Sequence, residues 1–238
     1  MGSGIYIATA GAVAQSKALD VTAANVANAS STAYRGARVT FRQAMAAAQS
    51  PDTAMVSSAT GGIDGSAGTM VSTSNPLDLA IEGDGYFSVD TDRGTRYTRN
   101  GAFTIAEDGR LVTQDGLAVR GSSGTAIQVP QGTSQITVST DGAVLADGNE
   151  VGRIAIARFP VGGLAREGDA LLAAKTAPIA SNEEPVIRSG MLEASNVSVV
   201  RSVVDMVKVS RTYESLMRVI EGYSQVEGRA ARDLGGPK

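Results

Sequence analysis

Two apolar seams with a seven-residue repeat stand at opposite ends of this chain, and they constrain its fold more than anything between them. In residues 3–28, Ile5, Ala12, Leu19 and Val26 recur at every seventh position, with Ala8, Gln15 and Thr22 at the companion positions. Ala-rich content without Pro supports a helix of roughly 39 Å at ~1.5 Å per residue. Its stripe is narrow and made of small side chains, so it needs a partner. Residues from about 196 to 231 supply one: Val199, Met206, Tyr213 and Ile220 hold one heptad position, and Ser202, Val209, Leu216 and Tyr223 hold the next. Only Ser202 of these is polar, and such a seam predicts a helix that pairs as a coiled coil. Ser195 or Asn196 is placed to cap its start, and Gly235-Gly236-Pro237 to stop it.

The middle of the chain has a different grammar. Asp-Gly recurs at Asp84-Gly85, Asp108-Gly109, Asp115-Gly116, Asp141-Gly142 and Asp147-Gly148, joined by Asn100-Gly101. These dipeptides accept the positive φ angles of tight hairpins. Strand-like runs lie between them at 86–90, 95–98, 111–113, 126–129, 135–139 and 153–159, which predicts a mainly antiparallel β domain over 75–190. Residues 29–74 are rich in Ser, Thr, Ala and Gly, as in Ala29-Ser30-Ser31-Thr32, and read as a long connector with room for an extended hairpin. The fold class expected is therefore α+β: a helix at 1–28, the connector at 29–74, the β domain at 75–190 and a second helix within 191–238.

Composition closes off most chemistry. The chain has neither Cys nor His, so thiolate nucleophiles, disulfides, thiolate zinc sites and imidazole bases are excluded. A formal charge of −3 with no basic run argues against nucleic acid as a partner. The start, Met1-Gly2-Ser3-Gly4-Ile5-Tyr6, lacks the basic and apolar regions of a cleaved signal peptide, and no apolar run approaches the ~20 residues of a membrane helix. Glu82-Gly83-Asp84-Gly85 lacks the Lys-Ser/Thr of a phosphate loop and the ligand spacing of a calcium loop, so it reads as a turn. Asp90, Asp92 and Arg93 read as a surface charge cluster. Arg96, Arg99 and Arg110 read as solvated strand faces or intersubunit contacts. No catalytic residue, metal or cofactor is expected.

Several segments resemble, in order, the flagellar rod and hook protein family. Near the start, Leu19-Asp20-Val21-Thr22-Ala23-Ala24-Asn25-Val26-Ala27-Asn28 is similar to the family's first helix and its closing Asn-Leu-Ala-Asn-type motif. In the middle, Asn75-Pro76-Leu77-Asp78-Leu79-Ala80-Ile81-Glu82-Gly83-Asp84-Gly85-Tyr86-Phe87 and Tyr97-Thr98-Arg99-Asn100-Gly101-Ala102-Phe103 resemble its central signatures. Near the end, Leu192-Glu193-Ala194-Ser195-Asn196-Val197 and Arg211-Thr212-Tyr213-Glu214 resemble its closing motifs. The chain departs from the pattern at Ala24, where the family usually has Asn, at Ala33, where Gly precedes the aromatic, and at Ser210, where Gln precedes the Arg.

The resemblance implies a subunit exported by the flagellum's own type III apparatus and assembled, with copies of itself and other rod subunits, into an axial rod that transmits torque. Length and the central segment are nearest the proximal rod members, with the distal rod members as the near alternative. The candidate assembly residues are Ile5, Ala12, Leu19, Val26, Val199, Met206, Val209, Tyr213, Leu216, Ile220 and Tyr223, together with the motif asparagines Asn25, Asn28 and Asn196. The rival class is a secreted adhesin-like stalk with a β head.

Overall fold

The computed structural model describes residues 2–45, 54–168, 170–180 and 186–234, in two compact units. One unit contains Met1–Ala27, Ala37–Gly62 and Ser198–Lys238; the other contains Asn28–Gly36 and Ile63–Val197. The segment read as a connector is thus divided: its middle forms an extended two-stranded ribbon, Ala37–Met45 with Ala54–Ile63, in the unit that holds the helices. Residues 46–53 and Gly235-Gly236-Pro237 lie outside the described residues.

In the helical unit, α1 (Gly2–Ala27) packs against α2 (Val199–Leu234). The buried residues of α1 are Ala8, Ala12, Ala14 and Ala18. Short side chains let the backbones approach closely: a Cβ added at Gly11 would sit 3.4 Å from a methyl of Leu216, and one at Gly4 would sit 2.9 Å from the Tyr223 hydroxyl. Ser198 stands immediately before α2, and its hydroxyl accepts from the Arg201 backbone N–H at 3.5 Å. Ser198 rather than Ser195 or Asn196 therefore takes the capping place, because the other two are already engaged: the Ser195 hydroxyl accepts from the Val197 N–H, and the Asn196 side chain from the Gly36 N–H.

The β unit is antiparallel throughout its ladders. Its main sheet runs in the order Leu164–Glu167, Leu171–Ala174, Gly94–Thr98, Tyr86–Thr91, Ala118–Val119, Leu111–Thr113, Phe103–Ile105, and Ile156–Ala157 also pairs with Tyr86–Thr91. A second sheet joins Ile136–Val138, Ala143–Ala146 and Asn149–Arg153. Two small pairings, Leu79–Glu82 with Val186–Ser189 and Met70–Ser72 with Met191–Glu193, bring the two ends of the unit's sequence together. The core is aliphatic, with Leu79, Ile81, Leu111, Val119, Val144 and Ile187 around an edge-on Phe87–Phe103 pair at 5.0 Å.

Two of the expected strands differ in the structure. Residues 126–129 do not run along one neighbour: Ile127 donates to Val119 at 3.2 Å and accepts from Leu111 at 3.0 Å, so the run threads between two strands. Residues 153–159 split, because the chain leaves the second sheet at Arg153 and joins the main sheet at Ile156. The turn dipeptides also divide by mechanism. At Asp147-Gly148 both residues have positive φ, at 48° and 85°. At Asp108, Asp115 and Asp141 only the following Gly does, and it donates back three residues to close the turn. Asn100-Gly101 is a different case. Gly101 lacks a positive φ and is required by close approach, since a Cβ there would lie 1.8 Å from the Leu79 carbonyl.

Candidate functional site

Two features stand out: the surface of the helical unit, and a buried charge network in the β unit.

On α1, Ala12 is buried while Ile5, Leu19 and Val26 are half-buried. On α2, Met206, Val209, Tyr213, Leu216 and Ile220 are half-buried, at spacings of three and four that trace one stripe. Val199 and Tyr223, at the ends of the stripe, are exposed. None of the described α2 side chains is fully buried, because the Ala-lined face of α1 is too narrow to cover it. The sequence reading also missed a second apolar strip on α2: Val200, Val203, Val204 and Val207 are all exposed, Val200 by 77%. Their i, i+3, i+4, i+7 spacing was visible, but the stronger heptad beside it took precedence.

The motif asparagines do local work. The Asn25 amide donates to the Ala37 carbonyl at 2.9 Å and accepts from the Ala37 N–H at 2.8 Å, which ties the ribbon to the end of α1. In the β unit, Asn196 accepts from the Gly36 N–H at 2.8 Å and donates to the Ser66 carbonyl at 2.8 Å. Asn28 accepts from the Ser31 hydroxyl at 3.1 Å. Consecutive residues 36 and 37 are thus each held by an Asn side chain.

Arg99 overturns its sequence reading. It is neither solvated nor on an outer face: only 2% of its side chain is exposed, and it bonds Glu193 Oε2 at 3.3 Å and the Ile81 carbonyl at 2.9 Å, with Gly83 as a third partner. Arg35, also buried, bonds the other oxygen of Glu193 at 3.1 Å and the Gly65 carbonyl at 2.7 Å. Oε1 of Glu193 accepts the Gly68 N–H as well. Both guanidiniums lie over the Tyr86 ring, at 5.7 and 5.4 Å. Burial, and then the charge of Arg35, push the Arg99 pKa below its ordinary value; Glu193 opposes this. Arg35, Arg99 and Glu193 come from three widely separated segments, so the network closes the β unit on itself. Arg96 is paired elsewhere, with Glu167 at 2.6 Å, and Arg110 pairs with Asp108 on the surface.

Nothing in these arrangements resembles reaction chemistry. Among the described residues no group of three or more acidic side chains is placed to hold a metal. No helix among them is long and apolar enough to cross a membrane.

Family models match all three parts of the chain. The flagella basal body rod protein model covers residues 5–35, the flagellar hook protein FlgE/F/G D1 domain covers 80–146, and the flagellar basal body rod FlgEFG protein C-terminal model covers 188–233. Curated relatives include the flagellar basal-body rod protein FlgF of Escherichia coli, 34% identical over 97% of both chains, and FlgF of Caulobacter vibrioides, 32% identical over 99% of both. FlgG of Bacillus subtilis is 31% identical over 85% of this chain and 88% of its own.

Proposed function

This chain belongs to the flagellar basal-body rod protein family and is a structural subunit of the rod, not an enzyme; on that premise we propose that it polymerises through its terminal helices as a proximal rod subunit and passes torque from motor to hook. The observation that carries this reading is the incomplete burial of α2. A 36-residue helix has a half-buried seam on one side and exposed valines on another, so it buries its apolar surface fully only when further helices surround it. Repeating one heterologous contact along an axis builds a filament instead of a closed ring. The proximal position is supported by FlgF relatives that align over nearly the whole chain. Delivery through the flagellar type III apparatus completes the reading, and copies of itself and adjoining rod subunits are the partners.

Leu216→Asp tests it. A carboxylate in a desolvated helix contact costs several kcal/mol when unpaired, on the order of the penalty for breaking a buried pair. The subunit should be exported, rod growth should stall at its step, and swimming should be lost. Asp141→Asn, at a turn where Asp141 pairs with Arg153 on the surface, should swim normally. Normal basal bodies in Leu216→Asp cells, by microscopy, would sink the helical-assembly reading.

A further inference from the structure

We propose that the β unit carries both halves of a head-to-tail contact between successive copies of this chain. The turn at Val161 is a knob, and the hollow beside Ile105 and Ile136 is the socket that receives it in the next copy. This rests on the rod reading above, since it needs copies already brought side by side by their helices. Knob and socket stand at opposite edges of one sheet. The turn Pro160-Val161-Gly162-Gly163 leads into Leu164–Glu167, the first strand in the main sheet's order, and Ile105 of Phe103–Ile105, the last, lines the hollow. Complementary surfaces at opposite edges cannot pair like with like; their contact repeats along a line, as a filament requires. The knob is fixed and apolar. The Gly163 N–H donates to the Pro160 carbonyl at 2.8 Å and Gly162 has φ 81°, a type II turn with Val161 at its second position. Val161 is wholly exposed there, and Ile179, whose N–H bonds the Arg158 carbonyl beside the turn, is 52% exposed. A lone surface Val is ordinary, but a Val at a turn tip beside an exposed Ile is an apolar patch facing water. The socket answers it in shape, polarity and charge. Its volume is about 290 Å³, and Ile105, Val129, Pro130 and Ile136 give it apolar walls. Glu107 stands exposed on its rim; Lys175, also exposed, stands beside the knob with its N–H on the Gly163 carbonyl at 2.8 Å. Neither has an ion pair among the described residues, so each brings a charge that the other can answer across the contact. One turn in one hollow falls far below the ~1,000 Å² of a stable interface, so the contact forms only where the helices already concentrate the copies.

The chain lacks Cys, so introduced thiols report on one pair of positions at a time. Val161→Cys is combined with Gln131→Cys, an exposed position in the socket, and basal bodies from cells making only this variant are treated with a short bismaleimide. The double variant should give a ladder of dimers and higher multimers, and each single variant monomer alone. Co-expression of the two single variants should give dimers and nothing larger, without requiring both changes in one chain. Dimers from Val161→Cys alone would mean that knob meets knob, and they overturn the proposal. Rods that contain these variants but yield only monomer overturn it too, as does linkage of Val161→Cys to a different rod protein. Glu107→Lys should slow the linking about two- to fivefold, the effect of a rim charge in water, and Lys175→Glu in the same chain should restore it. A double reversal that links no faster than Glu107→Lys overturns the charge pairing and the register it sets. Basal bodies that lack the unmodified subunit would sink the rod reading, and this contact with it. Rods that stall in Leu216→Asp cells but show no linking at position 161 sink this contact alone.

Discussion

The helical unit and the β unit bury their sequence in opposite ways. In the β unit, Leu79, Phe87, Leu111, Val119 and Val144 are fully enclosed, and local hairpins are tied together by distant pairings such as Leu79–Glu82 with Val186–Ser189. In the helical unit the enclosed residues are alanines of α1, and α2 stays half-open along its length. A Phe buries far more apolar area than an Ala, so at about 25 cal/mol per Å² the β unit's stability comes from its own core. The helical unit leaves the apolar stripe of α2 only half-buried and its second valine strip exposed.

Three measurements sharpen or break this comparison. The largest effect is expected from Phe87→Ala, which empties the centre of the β core and should lower its stability by about 3–5 kcal/mol. Leu216→Ala, in the helical unit, should leave that same transition in place. Calorimetry on both variants decides, and equal shifts would show that the units share one cooperative core.

A smaller effect is expected at Ala33. This residue sits at φ 57°, a left-handed conformation in which an L side chain is strained, and its N–H bonds the Glu193 carbonyl at 2.7 Å. Ala33→Gly should relieve the strain and, after the entropy Gly adds to the unfolded chain, stabilise the β unit by roughly 0.5–1 kcal/mol. A loss of stability in urea titration would mean that the methyl's packing outweighs the strain.

The smallest effect lies at the surface. The Arg110 backbone N–H at 3.1 Å, and then its side chain at 2.5 Å, hold the Asp108 carboxyl below its ordinary value of 3.8. A depressed folded-state pKa contributes stability above the unfolded value and loses it as pH falls through the folded one. NMR titration should therefore place the Asp108 midpoint below 3.8, and Arg110→Ala should return it toward that value. An unshifted midpoint in the intact protein would contradict the hydrogen bonding of this turn. Because Asp108 is fully solvated, no measurable melting change is expected from Arg110→Ala.

Much of this organisation was legible along the chain. The seven-residue repeat located α1 and α2, since helical periodicity is a local property that Ile5, Ala12 and Leu19, or Met206, Tyr213 and Ile220, express without reference to anything else. Asp-Gly dipeptides located most of the hairpins for the same reason: the conformation they favour is set by two residues. Gly101 was misread because its need for a missing side chain comes from the Leu79 carbonyl, which lies 22 positions earlier and is invisible to a local rule. The departure at Ala33 was visible as a departure, but its meaning emerged only with its φ angle.

Arg99 marks the boundary between the two kinds of information. Read locally, an Arg on a short strand belongs in water. It is buried because Arg35 and Glu193, from positions 64 residues before it and 94 after it, arrive at the same place with backbone carbonyls and a Tyr ring to receive its hydrogens. The sequence by itself determined the two seams, the β character between them, the exclusion of thiol and imidazole chemistry, and through ordered motifs the family. Only the tertiary structure decided which charges go inside, because the cost of burying a charge depends on partners that chain separation hides and folding assembles.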